Sequence, residues 1–128
     1  ECADHVRRVP GLIGEPPEEA LPWIARAGKP AEYDDPWPGI SPFVVGTVLW
    51  SLYAFLRTPD DYFASVWTSI AVGGDVDTTA AITGAIGGAY NGREALPDHM
   101  LQLLHDHGEW RVDDVVGLCD RAYQRVSG

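Results

Sequence analysis

Residues Gly73–Gly92 read GGDVDTTAAITGAIGGAYNG, a double glycine followed by a long run of small side chains. The run predicts a helix that begins near Asp77 and continues to about Tyr90, where Asn91-Gly92 ends it. Each glycine inside a helix costs about 1 kcal/mol relative to alanine, so three of them require an offsetting gain. Close approach of a neighbouring helix supplies that gain, and the sequence therefore predicts a tightly packed central helix.

The turn that leads into this helix contains two carboxylates one residue apart and an adjoining hydroxyl. Asp75, Asp77 and Thr78 offer only hard oxygen ligands, which suit Mg²⁺, Ca²⁺ or Mn²⁺ and not zinc or copper. In an extended turn both carboxylates point to one side, and Gly73 and Gly74 allow a sharp backbone path with positive φ. A second interpretation stays open on the residues alone: Asp77 is the N-cap of the helix, and Asp75 benefits from the helix dipole.

Helical spacing continues on both sides of this turn. Ser41 as an N-cap, followed by apolar residues at i, i+3, i+4 and i+7, predicts a helix over Pro42–Arg57. Residues 1–38 contain seven prolines and are predicted to be a loop-rich lead-in, whereas residues 39–128 are predicted to be helical. Since no stretch alternates with a period of two, we expect an all-α fold with five or six helices and no sheet. The remaining helices are predicted at Glu18–Ala27, Asp60–Ala71, Asp98–Asp106 and from Asp113 onward.

Composition limits the function. The net charge of −10 comes from 9 Lys and Arg against 19 Asp and Glu, and because polyanions are bound through Lys and Arg, no nucleic-acid partner is expected. No apolar run approaches the roughly 20 residues of a membrane-spanning helix, so no membrane partner is expected. Two cysteines without metal-type spacing fit a cytoplasmic setting. The other acidic pairs are expected to be helix caps or solvated loops: Asp34-Asp35, Asp60-Asp61 and Asp113-Asp114.

The stretch Gly73–Gly92 resembles the C-terminal signature of the ADP-ribosylglycohydrolases, the dinitrogenase-reductase-activating glycohydrolase group. That signature is a GGDxDT turn entering a small-residue helix that ends in GAYxG. Thr47–Arg57 resembles the helix that precedes the turn, and Leu96-Pro97 resembles the proline-led start of the helix that follows. The resemblance covers about Gly39–Met100.

The resemblance implies an orthogonal all-α bundle that holds two Mg²⁺ ions, or Mn²⁺ in some members. It also implies a hydrolase, of the N- or O-glycosyl type, that removes ADP-ribose from a modified protein side chain or a small molecule. Carried over by motif position, Asp75, Asp77 and Thr78 are the metal ligands. Gly73 and Gly74 give room for the ribose or for metal-bound waters, and Phe43 lies where the family places a residue against ADP-ribose.

The resemblance fails upstream. The family's other metal ligands and its catalytic acid lie in an N-terminal half, and nothing in Glu1–Pro38 resembles that half. Three ligands from one turn do not close two octahedral Mg²⁺ shells. We therefore expect residues 1–128 to be the C-terminal segment of a single domain, inactive alone. Its partners are then an ADP-ribosylated substrate and the missing half, as a separate chain or a proteolytic piece. The alternative is a non-catalytic ADP-ribose-binding or structural homologue.

Overall fold

The computed structural model describes residues 2–128. Over this part of the chain the fold is all-α: seven α-helices and two short 3₁₀ helices, Val9–Gly11 and Arg93–Ala95, and no strand. The predicted fold class is therefore confirmed. The α-helices are α1 Cys2–Arg8, α2 Pro17–Arg26, α3 Val44–Arg57, α4 Tyr62–Ile70, α5 Val76–Asn91, α6 Asp98–Leu101 and α7 Val112–Ser127.

Two elements differ from the sequence prediction. The lead-in contains α1 as well as α2, because the short, mostly polar segment Cys2–Arg8 is helical without an apolar repeat of its own. In the other direction, α6 ends at Leu101 instead of Asp106. Farther along, the Asp106 carboxylate accepts hydrogen bonds from the backbone N–H groups of Gly108 (2.8 Å) and Trp110 (3.2 Å), so Asp106 lies in a turn and not at the end of a helix.

The chain divides into two compact units, one ending at Ala95 and the other spanning Leu96–Gly128. In the first unit α3 is the central helix and contacts α2, α4 and α5. Its Trp50 is fully buried, stacks on Tyr53 with ring centroids 4.9 Å apart, and donates its indole N–H to the carbonyl oxygen of Ser69 on α4 (3.1 Å). Helix α5 thus packs against α3, and Trp50 of α3 also joins α3 to α4.

The small residues of α5 allow two neighbouring helices to approach it closely, as predicted. A Cβ atom at Gly84 would lie 2.9 Å from the Tyr62 hydroxyl of α4, and one at Gly87 would lie 3.3 Å from the Tyr62 ring. On the α3 side the contacts are hydroxyl groups, since Thr83 Oγ1 donates to the carbonyl oxygen of Ser51 (3.4 Å). At Gly84 and Gly87 the missing side chains are offset by this packing, whereas a Cβ atom at Gly88 would meet nothing within 4 Å, so the prediction holds for two of the three glycines.

The second unit, considered by itself, has no buried residue between Leu96 and Gly128. Its helix α7 begins with a cap in which the N–H of Arg111 donates to the Asp114 carboxylate (2.9 Å), so the acidic pair Asp113-Asp114 marks a helix start as expected. Leu118 and Val126 of α7 are exposed. None of the helices in the described part of the chain has both the length and the apolarity needed to cross a bilayer.

Candidate functional site

The double glycine takes the sharp path that the sequence predicts. Gly73 and Gly74 have φ values of +76° and +91°. The turn pairs with a distant segment: the N–H of Ile40 donates to the carbonyl oxygen of Gly73 (3.3 Å), and the N–H of Asp75 donates to that of Ile40 (2.7 Å). The backbone of Asp75 is therefore fixed by a residue that lies 35 positions earlier in the chain.

This pairing requires glycine on both sides. A Cβ atom at Gly74 would lie 2.0 Å from the carbonyl oxygen of Ile40, and one at Gly39 would lie 2.3 Å from the carbonyl oxygen of Val72. At Gly73 a Cβ atom would meet nothing within 4 Å. Of the two glycines expected to leave room for a ligand, only Gly73 faces open space, whereas Gly74 is packed against Ile40.

The N-cap of α5 is Asp75, not Asp77, and the Asp75 side chain makes no capping hydrogen bond. Its carboxylate instead accepts a hydrogen bond from the Thr78 hydroxyl (2.9 Å). Asp77 is the second residue of the helix. The interpretation of Asp77 as the N-cap is therefore wrong, because the backbone pairing with Ile40 ends the extended path at Asp75.

The carboxyl groups of Asp75 and Asp77 are brought together. A hydrogen bond with the Asp75 side chain holds the pKa of Asp77 below its usual range, and the backbone N–H groups of Thr78 and Asp77 lower this pKa further. Two neighbouring carboxylates repel each other when both are ionised, and a bound cation relieves this repulsion. The two acids and Thr78 thus form a small, oxygen-only cluster, in which Asp77 and Thr78 are exposed to solvent.

This cluster is not a complete metal site. Within residues 2–128 no group of three His, Cys, Asp or Glu side chains lies close enough together to hold an ion. Two carboxylates and one hydroxyl have the hard-oxygen chemistry that Mg²⁺ or Mn²⁺ requires. They fill only part of one coordination shell, so the donors fit the ion and further ligands must come from water or from other residues.

Phe43 is the N-cap residue of α3, and its half-buried ring lies three positions after Ile40. Its ring centroid is 5.8 Å from that of Tyr33 and 5.4 Å from the Nζ atom of Lys29. α3 therefore begins at Val44 rather than Pro42, and Ser41 is not its N-cap. The Ser41 hydroxyl is used elsewhere, as the acceptor of a hydrogen bond from Lys29 (2.8 Å).

Lys29 and Asp35 form an ion pair that the sequence does not reveal. The Lys29 side chain is 1% exposed and donates to the Asp35 carboxylate as well as to Ser41. This bond, with smaller contributions from Ser41 and the N–H of Trp37, lowers the pKa of Asp35 from its ordinary value. The sequence predicts a helix cap or a solvated loop at Asp35; this prediction is wrong, because the loop folds back and brings Asp35 to Lys29.

The fold is all-α, and its candidate site is an acidic turn at the start of a helix rich in small residues. The pairing with Ile40 holds this turn in place. The family model for ADP-ribosylglycohydrolases matches residues 1–128. The chain belongs to the ADP-ribosylglycohydrolase family.

Two curated relatives agree with this assignment. The ADP-ribosylhydrolase ARH3 of Bos taurus is 38% identical over 72 residues, which are 48% of this chain and 20% of that protein. The ADP-ribosylhydrolase ARH3 of Homo sapiens is 36% identical over 85 residues, which are 59% of this chain and 23% of that protein. The chain thus spans about a fifth of the length of these relatives. No solved structure matches it.

Proposed function

We propose that this chain supplies the GGDxDT half of a binuclear Mg²⁺ site in an enzyme that hydrolyses the bond between ADP-ribose and a modified side chain or small molecule. The observation that carries the proposal is the oxygen cluster at the start of α5, in which the Thr78 hydroxyl donates to the Asp75 carboxylate (2.9 Å) and Asp75 in turn lowers the pKa of Asp77. Membership of the ADP-ribosylglycohydrolase family supports the substrate class.

The electrostatics of the turn support a cation at this place. The start of α5 carries the positive end of the helix dipole, which favours the ionised form of nearby carboxylates. Two ionised carboxylates in contact repel each other unless a proton or a cation lies between them. At neutral pH a divalent ion relieves this repulsion while keeping both acids charged, and Mn²⁺ can substitute for Mg²⁺ because both prefer oxygen ligands.

Three protein oxygens leave most of two octahedral shells to be filled. We propose that the remaining ligands and the catalytic acid come from residues outside this chain, as a separate chain or a proteolytic piece, and that residues 1–128 alone are inactive. Bound divalent ions would supply polarisation of the ribose hydroxyls and of a water beside the anomeric carbon.

In the proposed arrangement this chain's own residues bind and orient. Asp75, Asp77 and Thr78 hold the ion, and Gly73 leaves space beside it because no atom lies within 4 Å of where its Cβ would be. Phe43 borders ADP-ribose, since it follows closely after the segment that pairs with the turn. A half-buried ring already packed against Tyr33 is a rigid surface for an aromatic or sugar ring.

The test measures the affinity of the 128-residue chain for Mn²⁺. Binding is detected as a decrease in the electron paramagnetic resonance signal of free Mn²⁺. Replacing both acids, Asp75→Asn with Asp77→Asn, is expected to weaken the affinity at least tenfold, because it removes both charged ligands of the cluster. Thr78→Val is expected to cause a smaller loss, since it removes a neutral ligand and keeps a similar shape.

The matched control is Asp60→Asn with Asp113→Asn, which removes two exposed acids outside the turn and so the same net charge. Its Mn²⁺ affinity is expected to stay within about twofold of the unaltered chain, since exposed charges are well screened. If both double variants lost Mn²⁺ affinity equally, the affinity would depend only on net charge. That result would overturn the proposed site.

A further inference from the structure

A buried lysine needs an explanation in this chain. Lys29 is its single lysine, and the side chain is 1% exposed. Its ammonium group contacts Asp35, Ser41 and the faces of the Tyr33 and Phe43 rings, with Nζ 5.5 Å and 5.4 Å from the two ring centroids. Buried ion pairs are often no more stabilising than apolar residues of similar volume, so stability of the fold alone does not account for the pair.

The contacts of Ser41 indicate which part of the chain the Lys29–Asp35 pair holds in place. The Ser41 hydroxyl accepts from Lys29 (2.8 Å), and the Ser41 carbonyl accepts from the Thr47 hydroxyl of α3 (3.1 Å). Ser41 is therefore tied on one side to the loop and on the other to the central helix. The preceding residue, Ile40, makes both backbone hydrogen bonds to the Gly73–Asp75 turn.

We infer that Lys29 is a positioning residue, which acts through Ser41 to hold residues 39–41 against the turn and so presets the place of the Asp75 carboxylate. Asp35 fixes the ammonium group in turn. The chain of contacts runs from Lys29 to Ser41, through the peptide of Ile40, to the N–H of Asp75, and each step is a hydrogen bond or a covalent bond. The part of this inference that concerns metal affinity rests on the proposed function, whereas the part that concerns the backbone of Asp75 does not.

The first measurement is amide hydrogen exchange of the chain without metal, resolved by residue with NMR. Lys29→Met, which keeps the length of the side chain and removes its charge, is expected to lower the protection of the Asp75 amide at least tenfold. The amides of α3 around Tyr53 are expected to change by less than threefold. Equal loss of protection at Asp75 and in α3 would show that Lys29 only stabilises the fold, and would overturn the inference.

Ser41→Ala supplies a milder variant that leaves the Lys29–Asp35 pair intact, and it decides the question if Lys29→Met does not fold. It is expected to lower protection at Asp75 in the same way. If Lys29 acts through Ser41, the double variant loses no more protection at Asp75 than Lys29→Met alone. Additive losses would contradict the route through Ser41. The control is Arg7→Met, which breaks the exposed Arg7–Asp4 ion pair and is expected to leave the Asp75 amide unchanged.

The second measurement is the Mn²⁺ titration described above. Lys29→Met and Ser41→Ala are each expected to weaken Mn²⁺ binding about three- to tenfold, although neither residue is a ligand. Unchanged affinity in both variants, with normal binding by the unaltered chain, would overturn the inference and leave the proposed function standing. If the unaltered chain does not bind Mn²⁺, the metal proposal fails, and hydrogen exchange at Asp75 still decides the role of Lys29.

Discussion

Gly74→Ala is expected to be the most damaging alanine substitution at any glycine of the site, lowering the free energy of unfolding by about 3 kcal/mol or more. Two costs combine. The residue has a φ of +91°, and the new Cβ would lie 2.0 Å from the carbonyl oxygen of Ile40. Because the oxygen belongs to the backbone and the position of a Cβ atom is fixed by its own backbone, the clash is relieved only by separating the turn from residues 39–41. Mn²⁺ binding should be lost together with stability.

Alanine substitutions at two further glycines are expected to change the free energy of unfolding by graded amounts. Gly73→Ala has only the conformational cost, since its φ is +76° and no atom lies within 4 Å of the new Cβ, so a loss of about 1 kcal/mol is expected. Gly88→Ala, inside α5 and also without neighbours within 4 Å, is expected to stabilise the chain by about 1 kcal/mol. Urea unfolding followed by the helical circular dichroism signal measures all three. A loss for Gly74→Ala no larger than that for Gly73→Ala would contradict the close pairing with Ile40.

Trp50→Ala is expected to lower the free energy of unfolding by about 3–5 kcal/mol, the usual range for removing a large buried aromatic side chain. Trp50 is 0% exposed, and its truncation would leave a cavity beside Tyr53 in the centre of α3. It would also leave the carbonyl oxygen of Ser69 without the indole N–H that now donates to it. A domain of this size is stable by about 5–15 kcal/mol, so the variant is expected to be marginal.

Trp50→Phe separates the two parts of that effect. It retains most of the ring volume and removes the hydrogen bond to Ser69, so a loss of about 1–3 kcal/mol is expected, clearly smaller than that of Trp50→Ala. The same urea titration measures both. If Trp50→Ala cost less than Trp50→Phe, the packing of α3 described here would be incorrect.

The features that the sequence predicts correctly are those determined by neighbouring residues. The helix Val76–Asn91 and its close packing follow from its own small residues, and the positive φ of Gly73 and Gly74 follows from the double glycine. The pairing of Asp75 with Ile40 does not follow, because the two segments are far apart in the chain and the pairing depends on two separate glycines. Asp75, not Asp77, is therefore the N-cap, although either acid satisfies the local rule for a helix start.

The errors at Ser41 and Asp35 have the same origin. A serine followed by proline is a strong local signal for an N-cap. The Ser41 hydroxyl, however, accepts a hydrogen bond from Lys29, which lies twelve residues earlier. Asp35 follows another acid in a proline-rich loop, which is typical of solvated sequence, and only the folded chain brings it to the same lysine. No pattern in the sequence marks this cluster, because its three members lie six residues apart in a loop, a spacing that belongs to no helix or strand.

The most direct test of the central claim is where Mn²⁺ binds on the chain. In an NMR spectrum of the ¹⁵N-labelled protein, substoichiometric Mn²⁺ broadens the amide signals nearest the ion. We predict that broadening begins at residues 73–79 and at 39–41, which pair with them, and that it disappears in Asp75→Asn with Asp77→Asn. Broadening that begins at Asp113-Asp114 or around His105, or that spreads evenly over the acidic surface, would contradict a divalent-cation site at the GGDxDT turn.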